Sequence, residues 1–309
     1  MKKISFLDVG HGDCSVIYIL DGSSIINTFV IDIPNSNKLR KVLTEANCRS
    51  IDAIIISHSD VDHSKDLASF IDGFIEKDHG VIKKIIFNLD KNIDKDKPNT
   101  KYVSMLKSIH DAITKQKFVR ESGTFDLTRE KRKVIYDDNG EIISIVYPSF
   151  DDMNYASIRP GSTNNMSIVC LCEGESSSVL FTGDLGSIGW QELFKRESIT
   201  CDILKLPHHG AKLDEDFSID KVLETLSPKV AIISSGENAK YMHPSKETID
   251  YLNKRRIAIY CTQLTSACQK ITSKGEKCCG DIYVSDCQEG YLINSEVNLS
   301  SLKCKGQNQ

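Results

Sequence analysis

The chain has 309 residues, 40% of them hydrophobic, so it is long and apolar enough to bury a sizeable core. Its formal net charge of −4 and its pI near 6.1 exclude a uniformly basic protein that coats nucleic acid. The sequence has no apolar run as long as a bilayer span and no signal-peptide pattern, so we expect a cytoplasmic protein without membrane insertion. The 11 Cys are then expected to be reduced thiols or metal ligands.

The first quarter of the chain is predicted to alternate strands and turns before it reaches a polar strand end. Asp21-Gly22 is typical of a hairpin turn, and the apolar run at 53–56 is typical of a buried strand. A helix is predicted to start near His63 and to continue through residues 67–74, whose apolar side chains recur at helical spacing. The strands predicted here are 4–9, 14–20, 29–33 and 53–56, and the connecting helix is 38–47.

The rest of the chain is predicted to contain strands that end in polar motifs, separated by short helices. Residues 161–165 are predicted to open the strand that follows them. Since no internal repeat or low-complexity linker occurs, we expect one domain over residues 1–295, with a Cys-rich loop at 261–287 and a polar tail at 296–309. The predicted strands are 85–89, 142–147, 166–172, 179–182, 202–206, 229–234, 257–261 and 281–285, and the predicted helices are 103–115, 190–196, 219–226 and 246–254.

Four metal-binding side chains, His58, Asp60, Asp62 and His63, follow the buried strand at 53–56 within six residues. Neutral imidazoles and carboxylates suit borderline divalent ions, Zn(II) first, and the share of carboxylates also suits Mn(II) or Fe(II). The alternative is a solvated polar loop with a helix cap, because Asp and Ser favour such positions. Two His and two Asp directly after a buried strand are hard to explain by solvation, so a metal site is the favoured interpretation.

Motifs along the whole chain carry a resemblance to one superfamily. They are FLDVGHGD (6–13), Asp32 at a strand end, SHSDVDH (57–63), STNNMS (162–167), FTGD (181–184), LKLPHHG (204–210) and HPS (243–245). On these motifs the chain resembles the metallo-β-lactamase superfamily, in particular the ComEC type. This is the hydrolase domain that is attached to bacterial competence DNA-uptake channels and is also found free-standing. The resemblance implies an α/β fold of four layers, an αββα sandwich of two mixed β-sheets with the metals at one edge.

The resemblance also implies a centre of two divalent metal ions, Zn or Mn. Its ligands would be His58 and Asp60 for one ion and Asp62 and His63 for the other, with Asp184 bridging and His208 as the last ligand. His243 is the alternative to His208, and whichever of the two does not bind metal would protonate the leaving group or bind phosphate. Because Asp62 or Asp60 can accept the proton of the attacking water, we expect Asp62 and His243 to be catalytic.

A second set of residues is expected to contact the ligands or the substrate. Asp32 would orient a His ligand. Asp13 and Asn165 are explained equally well as turn residues that bond to backbone groups. The set is Asp13, Asp32, Asn164, Asn165 and His209.

Several positions depart from the superfamily pattern. Asp60 replaces the middle His of H-x-H-x-D-H, which is a feature of the ComEC type and makes the first site richer in oxygen ligands. A further His expected before the FTGD strand is missing, and Asn164 and Asn165 stand there instead. His11 stands where Gln is expected, and Ala211 stands where Ser is expected.

The implied reaction is hydrolysis by a metal-bridging hydroxide. Two ions roughly 3.5–4 Å apart lower the pKa of a shared water and neutralise charge on phosphoryl oxygens. A nuclease or phosphodiesterase acting on DNA or RNA is the leading hypothesis, and any role at a membrane channel would need separate protein partners. The alternatives are a hydrolase of a small molecule, such as a cyclic nucleotide, lactone or thioester, and a non-catalytic metal-binding scaffold in a larger complex.

The basic charge of the chain is concentrated in residues 76–135, which hold 15 Lys and Arg against 9 Asp and Glu. A solvated surface is the plainer explanation, and a patch that faces nucleic acid is the alternative. An open groove lined by Lys83, Lys84 and residues 131–133 would favour a polymeric substrate, whereas a narrow apolar pocket would favour a small one.

A cluster of four Cys near the C-terminus raises the hypothesis of an additional structural zinc ion. The four residues lie within 19 positions, but their spacing does not match paired C-x₂₋₄-C motifs. Free thiols are the alternative. The candidate ligands are Cys261, Cys268, Cys278 and Cys279.

Overall fold

Two β-sheets dominate the computed structural model, which describes residues 1–89, 100–115, 118–158, 162–213, 217–236, 242–265 and 278–297. The strands are β1 (Lys2–Phe6), β2 (Ser15–Asp21), β3 (Ser24–Ile31), β4 (Ser50–Ile56), β5 (Val81–Phe87), β6 (Val119–Glu121), β7 (Lys133–Asp138), β8 (Glu141–Tyr147), β9 (Val169–Gly174), β10 (Ser178–Phe181), β11 (Ile203–Lys205), β12 (Val230–Ile233), β13 (Ala258–Cys261), β14 (Ile282–Cys287) and β15 (Gly290–Ser295). The first sheet has the order β15-β14-β1-β2-β3-β4-β5-β6, and the second has the order β13-β12-β11-β10-β9-β8-β7.

Both sheets are mixed. In the first sheet the strands from β14 to β3 pair antiparallel and those from β3 to β6 pair parallel. In the second sheet β7 to β10 pair antiparallel and β10 to β13 pair parallel. The helices are α1 (Ser36–Glu45), α2 (Val61–Ser64), α3 (Leu67–Asp72), α4 (Thr100–Thr114), α5 (Phe150–Ser157), α6 (Ser162–Asn165), α7 (Ser187–Arg196), α8 (Ile219–Leu226) and α9 (Lys246–Lys254), with a π-helical turn at Gly73–Lys77 and a 3₁₀ turn at Pro207–Gly210.

Strand β2 shows how the layers pack. Ile17 and Ile19 belong to the core that joins the two sheets, whereas Val16 and Tyr18 belong to a second core that the first sheet forms with α1, α3 and α4. Because β2 is buried on both faces, its sequence is a continuous apolar run and does not alternate with polar residues. The second sheet carries α7, α8 and α9, so the αββα arrangement implied by the resemblance is confirmed.

Several predicted elements differ from the structure. The predicted strand opening at 161–165 is wrong, because residues 162–165 form helix α6 and the strand begins at Val169. Ser, Thr and Asn side chains compete for backbone hydrogen bonds and favour such short turns over strands. The helix predicted from His63 through residue 74 is interrupted, since α2 and α3 are separate and the last part is a π-helical turn.

Three strands were not predicted: β6, β7 and β15. Each lies at the edge of a sheet, where one neighbour is missing and the residues are more polar. The predicted Cys-rich loop at 261–287 is too long, because Ile282–Cys287 form β14 and pair with β1 and β15. Most of the predicted polar tail lies outside the described residues.

The carboxyl ends of several parallel strands meet at one edge of the sandwich. The segments after β3, β4, β10 and β11 carry Asp32, His58, Asp184 and His209, so residues distant in the sequence come together there. Ligand sites in open α/β sheets commonly lie at such strand ends. Among the described helices, none is long and apolar enough to cross a membrane.

Candidate metal centre

The SHSDVDH segment forms the floor of the site and is held by backbone hydrogen bonds. His58 follows β4, and Asp62 and His63 lie in α2. The backbone N–H of Ile33 donates to the carbonyl of His63 at 2.7 Å, and that of Asp13 donates to the carbonyl of Asp62 at 3.2 Å. The loop after β1 and the end of β3 therefore hold the SHSDVDH segment from two sides.

Asp184 enters the site through a close approach of two backbone segments. Gly183 before it has a φ of 50°, and a Cβ atom there would lie 2.8 Å from the Cβ of Ser57. Only glycine fits this contact without a shift of the SHSDVDH segment. The side chain of Asp184 is consequently buried against His58 and His63.

His208 and His209 both adopt left-handed backbone conformations, with φ of 49° and 54°. Such a conformation costs a non-glycine residue about 1–2 kcal/mol, and strain of this kind concentrates at functional sites. The side chain of His209 is 1% exposed, whereas that of His208 is 35% exposed. The tight turn therefore brings two consecutive imidazoles to the same centre.

The carboxylate of Asp184 lies between two pairs of imidazoles. Its Oδ2 is 3.8 Å from Nε2 of both His58 and His208. Its Oδ1 is 3.1 Å from Nε2 of His63 and 3.9 Å from Nε2 of His209. One oxygen thus faces each pair, which is the arrangement that a bridging carboxylate requires.

Two groups of three donors stand out at this edge. His58, His63 and Asp184 form one buried group, and His11, Asp62 and His209 form the other. In each group the ligand atoms all lie within 4.8 Å of one another. Asp13 also falls within this distance of Asp184 and His209, and with Asp32 it lies within this distance of His63.

These groupings differ in part from the sequence interpretation. The sequence paired Asp62 with His63, while the structure places His63 with His58 and places Asp62 with His209. The sequence also preferred His208 as the last ligand and assigned His209 to the outer contacts, whereas His209 is the more buried of the two. Asp60 is half exposed, with its Oδ2 3.6 Å from Nε2 of His58.

The donor atoms fit a metal centre because several of them are buried without a hydrogen bond of good geometry to any described residue. Buried ligand atoms without a hydrogen bond include Nε2 of His58, Nε2 of His63, Nε2 of His209 and Oδ1 of Asp184. An unsatisfied buried polar atom costs roughly 1–3 kcal/mol, so four at one place need a reason. Divalent cations would satisfy all four, with His58, His63, Asp62, Asp184 and His209 as the residues that would hold them.

The other nitrogen of two of these rings is held by the protein. Nδ1 of His63 lies 2.7 Å from Oδ2 of Asp32, whose other oxygen accepts the backbone N–H of Ser57 at 2.7 Å. Nδ1 of His209 donates to the carbonyl of Ser234 at 2.8 Å. Contacts of this kind fix the ring orientation and leave Nε2 directed into the centre.

The two Asn of STNNMS have separate positions. Nδ2 of Asn164 lies 3.5 Å from Nδ1 of His208, at the rim of the centre. Asn165 is 6% exposed, its Oδ1 accepts the backbone N–H of Gly189, and its carbonyl accepts the hydroxyl of Tyr147. Asn165 therefore packs α6 against its neighbours.

Burial and neighbouring charges shift the pKa values of the ionisable groups in the centre. Burial opposes protonation of His63, but the carboxylates of Asp184 and Asp32 outweigh it and raise its pKa well above the usual range. For His209, burial is likewise outweighed by Asp184 and Asp13, and its pKa rises to about 10. Burial would raise the pKa of Asp62, but His209 and His63 hold it below its usual range.

His243 lies at the rim of the centre, and its pKa is lowered, whereas those of His63 and His209 are raised. Its ring centroid is 5.3 Å from that of His208 and 6.3 Å from that of His11. Burial and the neighbouring His208, His209 and His11 lower its pKa to about 4. Ser245 of the same HPS motif caps α9 by accepting the backbone N–H of Thr248, so the motif also holds the helix.

Lys205 is a buried residue of the site that the sequence did not single out. Its Nζ lies 2.8 Å from each carboxylate oxygen of Asp13, and both side chains are at most 6% exposed. Oδ1 of Asp13 lies in turn 3.2 Å from Nδ1 of His209. The signal that could have revealed Lys205 is a cation placed between apolar residues of a buried strand.

The basic residues considered for a nucleic-acid groove are engaged in ion pairs. Lys83 lies 2.7 Å from Asp52, and Lys84 and Lys133 lie 2.9 Å and 3.1 Å from Glu121. Arg132 pairs with two glutamates, Glu173 and Glu197, at 2.6 Å each. Lys83 and Lys84 also lie in the first half of β5, away from the strand end that reaches His58. These ion pairs reduce the free positive charge that the residues would offer to nucleic acid, and the groove stays a prediction.

A pocket beside His58 is partly apolar. Leu89, Met153 and Met166 line it together with Asn88, whose Nδ2 is buried without a hydrogen bond. Oδ1 of Asn88 accepts the backbone N–H of Gly123 at 2.9 Å, which holds the side chain in place. The centre is therefore bordered by a small pocket with one available donor.

The cysteine cluster is described only in part. Cys261, Cys278 and Cys279 are buried, and Cys268 lies outside the described residues. The backbone N–H of Cys279 donates to the carbonyl of Cys261 at 2.9 Å, so these two segments are adjacent. A structural zinc at this cluster stays a prediction.

We expect metal to stabilise the protein more at pH 8.5 than at pH 6. His209, with a pKa near 10, holds a proton in the metal-free protein, and a metal ion can bind only the neutral ring. The raised pKa stabilises the metal-free fold fully below pH 6.5, and this contribution is lost as the pH rises through about 10. Metal affinity should therefore increase up to roughly tenfold per pH unit for each proton released.

The measurement is the difference in melting temperature between metal-loaded and chelated protein across this pH range. Calorimetric titration in buffers of different ionisation enthalpy would count the released protons. A stabilisation by metal that is constant from pH 6 to 8.5, with no proton release, would contradict the assignment of His209 to the metal.

The chain is similar in sequence and structure to known proteins. The chain is 27% identical to ComE operon protein 3 of Bacillus subtilis over 230 residues, which cover 74% of this chain and 25% of that protein. The chain thus spans about a quarter of the length of this relative. No protein-family model matches the chain.

Solved structures give weaker similarities. The short form of human tRNase Z is 14% identical, with 74% of this chain and 91% of that chain covered and a TM-score of 0.43. An isothiocyanate hydrolase from Delia radicum gut bacteria is 14% identical, with 88% and 99% covered and a TM-score of 0.46. The two mixed sheets, the ligand motifs at their edge and the match to ComE operon protein 3 together identify the chain as a protein of the metallo-β-lactamase fold that is related to the ComEC type.

Proposed function

We propose that the chain is a metal-dependent hydrolase, specifically a phosphodiesterase that cleaves DNA or RNA. The observation that carries the proposal is the Asp184 carboxylate, which directs one oxygen to His58 and His208 and the other to His63 and His209. Two divalent ions bound there would activate water and neutralise charge on a phosphoryl group. The oxygen-rich ligand segment, with Asp60 in place of a His, favours a phosphodiester over a thioester or lactam.

The side chains of the protein supply orientation and proton transfer. Asp32 and the carbonyl of Ser234 hold His63 and His209 with Nε2 toward the centre. The low pKa of Asp62 keeps it ionised at neutral pH, so its carboxylate can bind a metal ion or accept a hydrogen bond from the attacking water. His243 is neutral at neutral pH, and a phosphodiester anion beside the ring would raise its pKa, as protonation of a leaving group requires.

A second candidate is a phosphodiesterase that acts on a small molecule such as a cyclic nucleotide. The small pocket beside His58, lined by Leu89, Met153 and Met166 with Asn88 as a donor, could contact one edge of such a substrate. The ion pairs of Lys83, Lys84 and residues 132–133 also reduce the charge available to a polymer backbone.

A substrate panel with elemental analysis tests both candidates. Protein purified without chelators should contain about two divalent ions per chain and should cleave bis(p-nitrophenyl) phosphate with Mn(II) or Zn(II). Faster cleavage of single-stranded DNA, double-stranded DNA or RNA than of cyclic nucleotides supports the nuclease, and the reverse supports the small-molecule enzyme. Cleavage of no phosphodiester would overturn both, and fewer than one ion per chain would favour a non-catalytic scaffold in a complex with partner proteins.

A further inference from the structure

His11 is held close to the metal centre by the glycine-rich loop between β1 and β2. Its neighbours Gly10 and Gly12 have backbone φ angles of 80° and 142°, which residues with a side chain rarely adopt. A Cβ atom on Gly12 would lie 2.5 Å from the carbonyl oxygen of Asp62. The two glycines therefore allow the loop to touch α2 and to bring the imidazole of His11 to Asp62.

The distances around Asp62 match those between ligands of one ion. Nε2 of His11 lies 3.4 Å from Oδ2 of Asp62, and Nε2 of His209 lies 3.3 Å from the same oxygen. Donors bound at about 2.0–2.1 Å in a tetrahedral site are separated by roughly 3.3–3.4 Å. The corresponding distances from His58 to Asp60 and Asp184 are longer, at 3.6 Å and 3.8 Å.

Within the described part of the chain, one nitrogen of the His11 ring lacks a partner. Its Nδ1 is buried without a hydrogen-bond partner, as is Nε2 of His209. The two ring centroids are only 4.5 Å apart.

We propose that His11 is a metal ligand and that His11, Asp62 and His209 bind one of the two ions. Two imidazole nitrogens and one carboxylate oxygen suit a borderline divalent ion such as Zn(II), and they leave positions open for water or substrate. The proposal deepens the proposed function, since it rests on the same two-metal centre. It assigns to His11 a role that the ligand set implied by the resemblance does not include.

Three variants and a spectroscopic probe test the proposal. Co(II) is titrated into the metal-free protein and followed by its visible absorption, and the bound ions are counted by elemental analysis. His11→Gln removes the imidazole and keeps a polar side chain of similar length. His110→Gln is the control, because His110 is an exposed residue of α4 and belongs to neither donor group of the described residues. His11→Glu replaces the imidazole nitrogen with a carboxylate oxygen, which can also bind a metal ion.

The expected result is loss of affinity for one ion. His11→Gln should bind one Co(II) as the wild type does and the other at least roughly tenfold more weakly, with a changed spectrum. His11→Glu should recover part of the affinity, and His110→Gln should keep both ions. Circular dichroism in chelator checks that each variant is folded before metal is added.

Different results would overturn the assignment of His11 and the proposed function. Two ions bound by His11→Gln with wild-type affinity and spectrum would overturn the assignment, even if the protein is an active phosphodiesterase. Wild-type protein that binds two ions but cleaves no phosphodiester would overturn the proposed function, while the role of His11 would still be decided by the Co(II) titration.

Discussion

Asp184→Asn is expected to lower kcat/KM for bis(p-nitrophenyl) phosphate by roughly a thousandfold, or about 4 kcal/mol of transition-state stabilisation. The substitution keeps the shape of the side chain but removes its charge and one oxygen ligand. Because the two oxygens face different His pairs, the variant should weaken metal binding at both pairs. Elemental analysis should accordingly find fewer than two ions per chain.

A matched control is available in the same sheet. Asp202 lies directly before β11 and pairs with the exposed Lys229 at 2.8 Å, at the opposite end of the strand from Lys205. Asp202→Asn should keep activity and metal content close to wild type. Activity of Asp184→Asn within tenfold of wild type, with two ions still bound, would show that this carboxylate does not join the two ions.

The sequence predicts the fold and the first half of the centre because both are local signals. The proposed ligands His58, Asp62 and His63 follow one buried strand within a few residues, and continuous apolar runs indicate strands that are covered on both faces. The edge strands were harder to predict, since β6, β7 and β15 have fewer buried positions and little apolar patterning.

The choice between His208 and His209 depends on backbone conformation, which the sequence does not report. Left-handed φ values at two consecutive His are rare, and only the folded turn shows which ring is buried. His11 and Lys205 could not be placed either, because their partners are distant in the sequence. The side chains of Lys205 and Asp13, for example, are 192 positions apart and meet only when the two sheets pack.

Lys205→Met is expected to lower the free energy of unfolding of the metal-free protein by about 3–5 kcal/mol. The side chain of Lys205 is 3% exposed, and its Nζ lies 2.8 Å from Asp13. Burial alone would raise the pKa of Asp13, and the charge of Lys205 is the first of the effects that lower it instead. Without Lys205, the buried carboxylate of Asp13 would lose its closest cation and would still lie beside the carboxylates of Asp32 and Asp184.

Urea unfolding in the presence of a chelator measures the loss of unfolding free energy in Lys205→Met. A double-mutant cycle then shows how much of this loss comes from the ion pair between Lys205 and Asp13. Lys205→Met with Asp13→Asn should recover most of the lost stability, because the uncompensated charge is gone. Lys229→Met, which removes an exposed partner of Asp202, should stay near wild type. A loss below about 1 kcal/mol in Lys205→Met, or no recovery in the double variant, would mean that Asp13 is compensated by other groups.

The same variant links the ion pair to the metal centre. Asp13 lies within 4.8 Å of Asp184 and His209, so a cation bound there would partly replace the charge of Lys205. The destabilisation by Lys205→Met should therefore be smaller in metal-loaded protein than in chelated protein. An equal loss in both states would indicate that Lys205 acts only on packing between the sheets, and a smaller loss with metal would mean that its charge belongs to the electrostatic balance of the centre.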